Sequence, residues 1–144
     1  MLKQIDPLLG PDLLAALRAM GHGDEIAIVD ANFPASSSGR PLIRLDGITA
    51  TRAAEAILSV LPLDDFVPDN AWHMQVVDDP QAERPIFAEF RQALQHSNGG
   101  RLAGLERFAF YEKAQSAFVI VVTGETRLYG NLLLKKGVIH PPSA

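Results

Sequence analysis

Met20-Gly21-His22-Gly23-Asp24-Glu25-Ile26-Ala27-Ile28-Val29-Asp30 carries the chain out of a helix and into a strand, and this junction decides the fold class. Upstream of it, Pro11 suits the first turn of a helix, and Leu13, Leu14 and Leu17 form an apolar stripe at helical spacing. Gly21 is then the expected stop. Downstream, Ile26-Ala27-Ile28-Val29 has no polar alternation, so it reads as a strand buried on both faces that ends at Asp30. A strand of that kind needs helices above and below it.

The rest of the chain repeats the alternation. Ala31 to Gly39 is rich in small and polar residues and reads as a loop leading into a strand at Leu42-Ile43-Arg44-Leu45. Asp46-Gly47 gives a turn, and Thr49 or Thr51 can cap a helix that places Ala53, Ala54, Ile57, Leu58 and Leu61 on one face and stops near Pro62. A strand is predicted over Trp72 to Val77, broken by Asp78-Asp79-Pro80. A helix follows from Pro85 to Gln95 with Ile86, Phe87, Phe90 and Leu94 inward. Ser97-Asn98-Gly99-Gly100 reads as a turn. Arg107 lies just before a helix predicted over Phe110 to Gln115, and strands follow at Ala117 to Val122 and Asn131 to Leu134, with a frayed tail after Ile139. The expectation is a single three-layer α/β domain over residues 1–144, with a mostly parallel sheet and helices on both faces.

Composition narrows the function. The 144 residues are 47% hydrophobic, enough for a substantial core, and 17 acidic against 13 basic side chains give a net charge of -4. That balance disfavours binding to a nucleic acid backbone. With no cysteine, disulfides, thiolate metal sites and a cysteine nucleophile are excluded. The N-terminus lacks the apolar stretch of a signal peptide, and the longest apolar run, Ala117 to Val122, is too short for a membrane helix. A cytoplasmic protein with no membrane partner is expected. His73, His96 and His140 lack the paired spacing of metal ligands, and Gly99-Gly100 with Gly124 does not complete a phosphate-binding fingerprint. Lys135-Lys136 reads as a solvated strand end.

Ligands of open α/β sheets sit outside the carboxyl ends of the strands, which gives the polar residues there a common address. Asp30 and Asn32 follow the first strand, Arg107 and Tyr111 flank a helix start, and Tyr129-Gly130-Asn131 leads into the last strand. Each has a second reading. Asp30 suits either two ligand hydroxyls or an Asx turn, and Arg107 either hydroxyls or a surface ion pair. Tyr129 and Asn131 belong either to a pocket or to a strand-entry turn, and Gly130 would let backbone approach a ligand closely. Tyr111 is a pocket residue or a half-buried helix tyrosine. His22, between two glycines, is an acid-base group or a solvated loop residue, and Asp24 either orients it or caps the turn. Spacing leaves open whether these residues meet within one subunit or across two.

Four ordered motifs carry a resemblance. Gly21-His22-Gly23-Asp24-Glu25, Asp30-Ala31-Asn32-Phe33-Pro34, Arg107-Phe108-Ala109-Phe110-Tyr111-Glu112, and Thr123-Gly124-Glu125 through Tyr129-Gly130-Asn131 resemble the ribose pyranase and fucose mutarotase family. The likeness is strong over residues 1–61 and 105–139, and the Arg107 run and the ending Tyr129 to Val138 look closer to the fucose mutarotase branch. Lys113 stands where an arginine is expected. The resemblance implies an enzyme that interconverts the anomers of a free reducing sugar, L-fucose first among them, without a metal or organic cofactor. It implies that His22 is the proton donor and that Asp30, Arg107, Tyr129, Gly130 and Asn131 bind the sugar. It also implies ring-shaped homo-oligomers, often decamers, with sites near subunit boundaries. The competing expectations are a ribose pyranase-like enzyme acting on another aldose, and a non-catalytic monosaccharide-binding protein.

Overall fold

The structure, a computed structural model, describes residues 1–97 and 99–143. Helix α1 (Pro11–Ala19) leads to β1 (Glu25–Val29), and β2 (Leu42–Leu45) to α2 (Ala50–Leu58). β3 (Ala71–Met74), α3 (Pro85–His96), β4 (Leu102–Leu105), α4 (Arg107–Gln115), β5 (Val119–Thr123) and β6 (Leu132–Lys135) complete the chain. The six strands form one sheet in the order β2-β5-β1-β6-β3-β4. Pairings β1 with β5, β2 with β5 and β3 with β4 are parallel, whereas β6 runs antiparallel between β1 and β3. The sheet is therefore mostly parallel, as expected, with one reversed strand at its centre.

Side-chain alternation along β1 explains the layers. Ile26 and Ile28 face α1, α2 and α3, where Leu13, Leu17, Ile57, Phe87 and Phe90 close one core. Ala27 and Val29 face the other way, onto Phe110 and Ala114 of α4. Phe87, Phe90 and Phe110 are fully buried, and each such side chain contributes about 1.5–3 kcal/mol by leaving water. Lys113 on α4 pairs with Glu25 of β1 at 2.8 Å and lies 4.2 Å from the Trp72 ring centroid, so the lysine still ties the helix to the sheet.

Several boundaries differ from the sequence reading, each for a local reason. Thr49 rather than Thr51 caps α2, accepting the Arg52 N–H at 3.2 Å. The strand predicted over Trp72 to Val77 ends at Met74, because Asp78 takes a left-handed conformation (φ 62°) and the Asp79 N–H closes a turn on the Val76 carbonyl. Strand β4 was not predicted: Leu102-Ala103-Gly104-Leu105 is short, contains glycine, and is held only by its pairing with β3. Helix α4 begins at Arg107 rather than Phe110, since the Glu106 carboxylate accepts the N–H groups of Phe108 and Ala109. Lys136 is not a solvated strand end: its ammonium donates to the Leu17 and Met20 carbonyls. Asn98 of the predicted turn and Ala144 of the tail lie outside the described residues. Among the described residues no helix is long and apolar enough to cross a membrane.

Candidate active site

The carboxyl ends of β1, β3 and β4 and the amino end of β6 meet at one edge of the sheet, as the strand directions require. Asp30, one residue beyond β1, is buried, and its backbone N–H donates to Asn131 Oδ1 at 2.9 Å. Asn131 Nδ2 returns a hydrogen bond to Asp30 Oδ2 at 3.1 Å, while Asp30 Oδ1 accepts the Asn32 N–H at 2.9 Å. The Asx turn is therefore formed, with Asp30 also lining the cleft above it. Burial pushes the Asp30 carboxyl above the usual carboxylate range, helped by the nearby Glu125 charge, against the hydrogen bonds from Asn32, Asn131 and Phe33.

A cleft of about 200 Å³ opens over this pair, walled by Arg107, Tyr111, Tyr129 and Asn131, with Met74 at its base. That volume is below the range of about 300–1,000 Å³ typical of drug-sized ligands and suits a single sugar ring. Tyr129 holds a left-handed conformation (φ 63°), and its hydroxyl accepts the Val77 N–H at 3.2 Å. Strain of this kind, in a non-glycine residue, gathers at ligand sites. Arg107 Nε is buried without a hydrogen-bond partner among the described residues, a donor aimed for something the protein alone does not supply. Tyr111 reaches the cleft with its ring edge against Phe33. Gly130 does not line it. A Cβ there would overlap Glu125 and crowd Ile86, so its smallness serves the packing of the turn behind Tyr129.

His22 lies at the other end of the sheet. The five residues of β1, at about 3.3 Å each, put about 16 Å of strand between it and the Asp30 cleft. His22 Nε2 is 3.1 Å from Asp64 Oδ1, and the ring, 46% exposed, stands 5.4 Å from the exposed ring of Phe66. Asp64 is buried. Burial raises its carboxyl, but the Phe66 N–H, the His22 hydrogen bond and the His22 and Lys135 charges outweigh it and leave the group below the usual range. Asp64 therefore stays anionic, fixes the imidazole through Nε2 and leaves Nδ1 as the nitrogen that can meet a ligand. Asp24 does not orient the ring; its carboxylate accepts the Gly21 N–H at 2.7 Å and caps the turn. Sequence reasoning missed Asp64, which lies 42 residues from His22 in a segment with no local signature. Among the described residues no group of three His, Asp or Glu side chains is placed to hold a metal ion.

Comparison with known proteins gives the arrangement a family. The chain is 47% identical to the fucose mutarotase of Homo sapiens over 145 residues, covering 96% of this chain and 94% of that protein. It is 45% identical to the fucose mutarotase of Bos taurus over 147 residues, covering 98% and 96%. The crystal structure of the fucose mutarotase from Streptococcus pneumoniae in complex with L-fucose superposes with a TM-score of 0.89 at 41% identity, covering 96% of this chain and all of that one. The model of the RbsD / FucU transport protein family matches residues 3–139. Near-complete coverage by both the family model and these relatives, on the same six-stranded frame, means that the chain belongs to the RbsD / FucU family.

Proposed function

We propose that this protein is a cofactor-independent L-fucose mutarotase, interconverting the α and β anomers of the free sugar. The observation that carries the reading is the full-length likeness to fucose mutarotases, one of them solved with L-fucose. The geometry supplies the parts. A proton on the ring oxygen and passage of the anomeric hydroxyl proton to solvent water, which returns it on closure, break the bond between the anomeric carbon and the ring oxygen. The resulting aldehyde rotates and closes on its other face. His22, as an imidazolium held beside anionic Asp64, gives the ring oxygen its proton from Nδ1, stands neutral while the ring is open, and takes the proton back on closure. Asp30 and Asn131 accept and donate to sugar hydroxyls, the Arg107 fork supplies further donors, and Tyr129 offers an aromatic face.

One chain does not bring these halves together. With β1 between them, a complete site requires His22 of one subunit over the cleft of the next, in a head-to-tail ring of identical chains that the family resemblance extends to a decamer. Exposed Val77, Phe108 and Leu128 around the cleft end, and exposed Phe66 at the His22 end, supply apolar surface for that contact.

NMR exchange spectroscopy on equilibrated L-fucose tests the reading. Wild-type protein accelerates anomer interconversion, and folded His22→Ala loses about 10² to 10⁴-fold of that rate. Wild-type exchange in His22→Ala would remove the acid-base role. Acceleration of D-ribose alone would move the assignment to a pyranase, and sugar binding with no acceleration at any protein concentration would make this a binding protein.

A further inference from the structure

The turn that carries His22 and the segment that carries Asp64 are far apart in sequence, and one stretch, Lys135-Lys136-Gly137, lies between them. Along one edge, Gly23 N–H donates to the Lys136 carbonyl and Lys136 N–H to the Asp24 carbonyl, both at 2.8 Å. Along the other, Asp64 N–H donates to the Lys135 carbonyl at 3.0 Å, Gly137 N–H to the Pro62 carbonyl at 2.8 Å, and Leu63 bridges Lys136 antiparallel. β6 thus continues as the centre of a short three-stranded ribbon whose outer members hold the acid-base histidine and its carboxylate.

Two side-chain features sharpen the registration. The Lys136 ammonium donates to the carbonyls of Leu17 (2.6 Å) and Met20 (2.5 Å), fastening the last turn of α1 immediately before Gly21 and His22. This group is half-buried, and burial, with the Arg18 charge, holds it below the ordinary lysine range against the opposing Asp24. Gly137 has no room for a side chain: a Cβ would overlap the Leu63 carbonyl and crowd Asp64 Cα. Any larger residue there forces the Leu63–Asp64 backbone to shift.

We propose that Lys136, with Gly137 beside it, is a positioning residue for catalysis, setting the 3.1 Å contact between His22 and Asp64 by clamping the end of α1 and the two backbone segments that carry them. The inference rests on His22 being the acid-base group. Misplacement of a reacting group by about 1 Å costs up to about 10²-fold in rate, so the effect belongs in kcat. Sugar affinity, set in the cleft at the opposite end of β1, stays as it is.

The test is anomer-exchange kinetics on the full-length assembled protein, with a thermal melt of each variant. Lys136→Met, which keeps the length of the side chain but removes its donors, lowers kcat by about tenfold or more with KM for L-fucose within about twofold, and Lys136→Arg restores most of the rate. In an Asp64→Ala background, where no side-chain oxygen is left to meet His22, Lys136→Met costs less than about twofold more. Gly137→Ala gives the same kcat-confined loss with the lysine in place, which keeps the proposal testable should Lys136→Met unfold. Unchanged kcat in folded Lys136→Met, an equal loss in both backgrounds, or a rise in KM in place of a fall in kcat overturns it. An inactive His22→Ala beside a wild-type-like Lys136→Met removes only this inference; a fully active His22→Ala removes the proposed function itself.

Discussion

Asp30 and Asp64 are both buried carboxyls, and their surroundings push them in opposite directions. Opposed shifts of this kind mark different duties. Asp64 is held anionic by the Phe66 N–H and His22, which suits the role proposed for it beside an imidazole that cycles through a positive charge. Asp30 sits above its ordinary value because burial outweighs its amide hydrogen bonds. The folded protein then keeps the Asp30 proton to higher pH than the unfolded chain does. The group favours folding below the unfolded value of about 3.9, and that contribution is lost as pH rises through the folded value. Asp30→Asn has no such dependence, so its stability relative to wild type improves between about pH 3 and pH 7, whatever the fixed offset from altered hydrogen bonds. Denaturant melts across that range check it; a constant difference would contradict the burial argument. His22, Asp30, Arg107, Tyr129 and Asn131 stood out as candidates because each sits at or next to an element boundary. Asp64 was not, since it becomes a partner only through a contact spanning 42 residues.

At the scale of elements, helix ends hold the fold to the site. Glu125, buried beyond β5, accepts the Ala50 N–H at the start of α2 and pairs with Arg127, which also reaches Glu89 on α3. Arg127 holds the Glu125 carboxyl below the usual range against the effect of burial. Its contribution is therefore present above the unfolded value of about 4.3 and lost as pH falls through the lower folded value. Glu125→Gln destabilises by about 1.5–3 kcal/mol near neutral pH, and the deficit disappears in acid. Thermal melts at several pH values measure both. Elements with a sustained pattern, α1, α2, α3 and β1, were readable from spacing. Helix α4 was read three residues short because its cap is Glu106, a less usual capping residue, and β4 was missed because four residues with an internal glycine carry no period.

At the scale of the whole molecule, the proposed site belongs to two chains, which makes a prediction that no single-chain site shares. His22→Ala and Asp30→Asn are each inactive alone. Co-refolded in equal amounts, they recover up to about a quarter of wild-type exchange, because a ring joined head to tail pairs an intact His22 with an intact Asp30 at about one junction in four. Native mass spectrometry confirms co-assembly, and exchange spectroscopy gives the activity. No recovery in a confirmed mixed ring would place both residues in one subunit's site.

The sequence by itself determined the layered α/β architecture, because a strand without polar alternation between amphipathic helices has only one way to bury its faces. It also singled out, by residue type and position at the ends of elements, the candidates for the site, each with a second reading; the roles proposed for them came from the family resemblance. Tertiary structure alone decided the reversal of β6 at the sheet centre, the pairing of His22 with Asp64, and the meeting of Asp30 with Asn131 across 101 residues. Strand direction and long-range contacts depend on how distant segments dock, and the local periods from which elements are read carry no record of that docking.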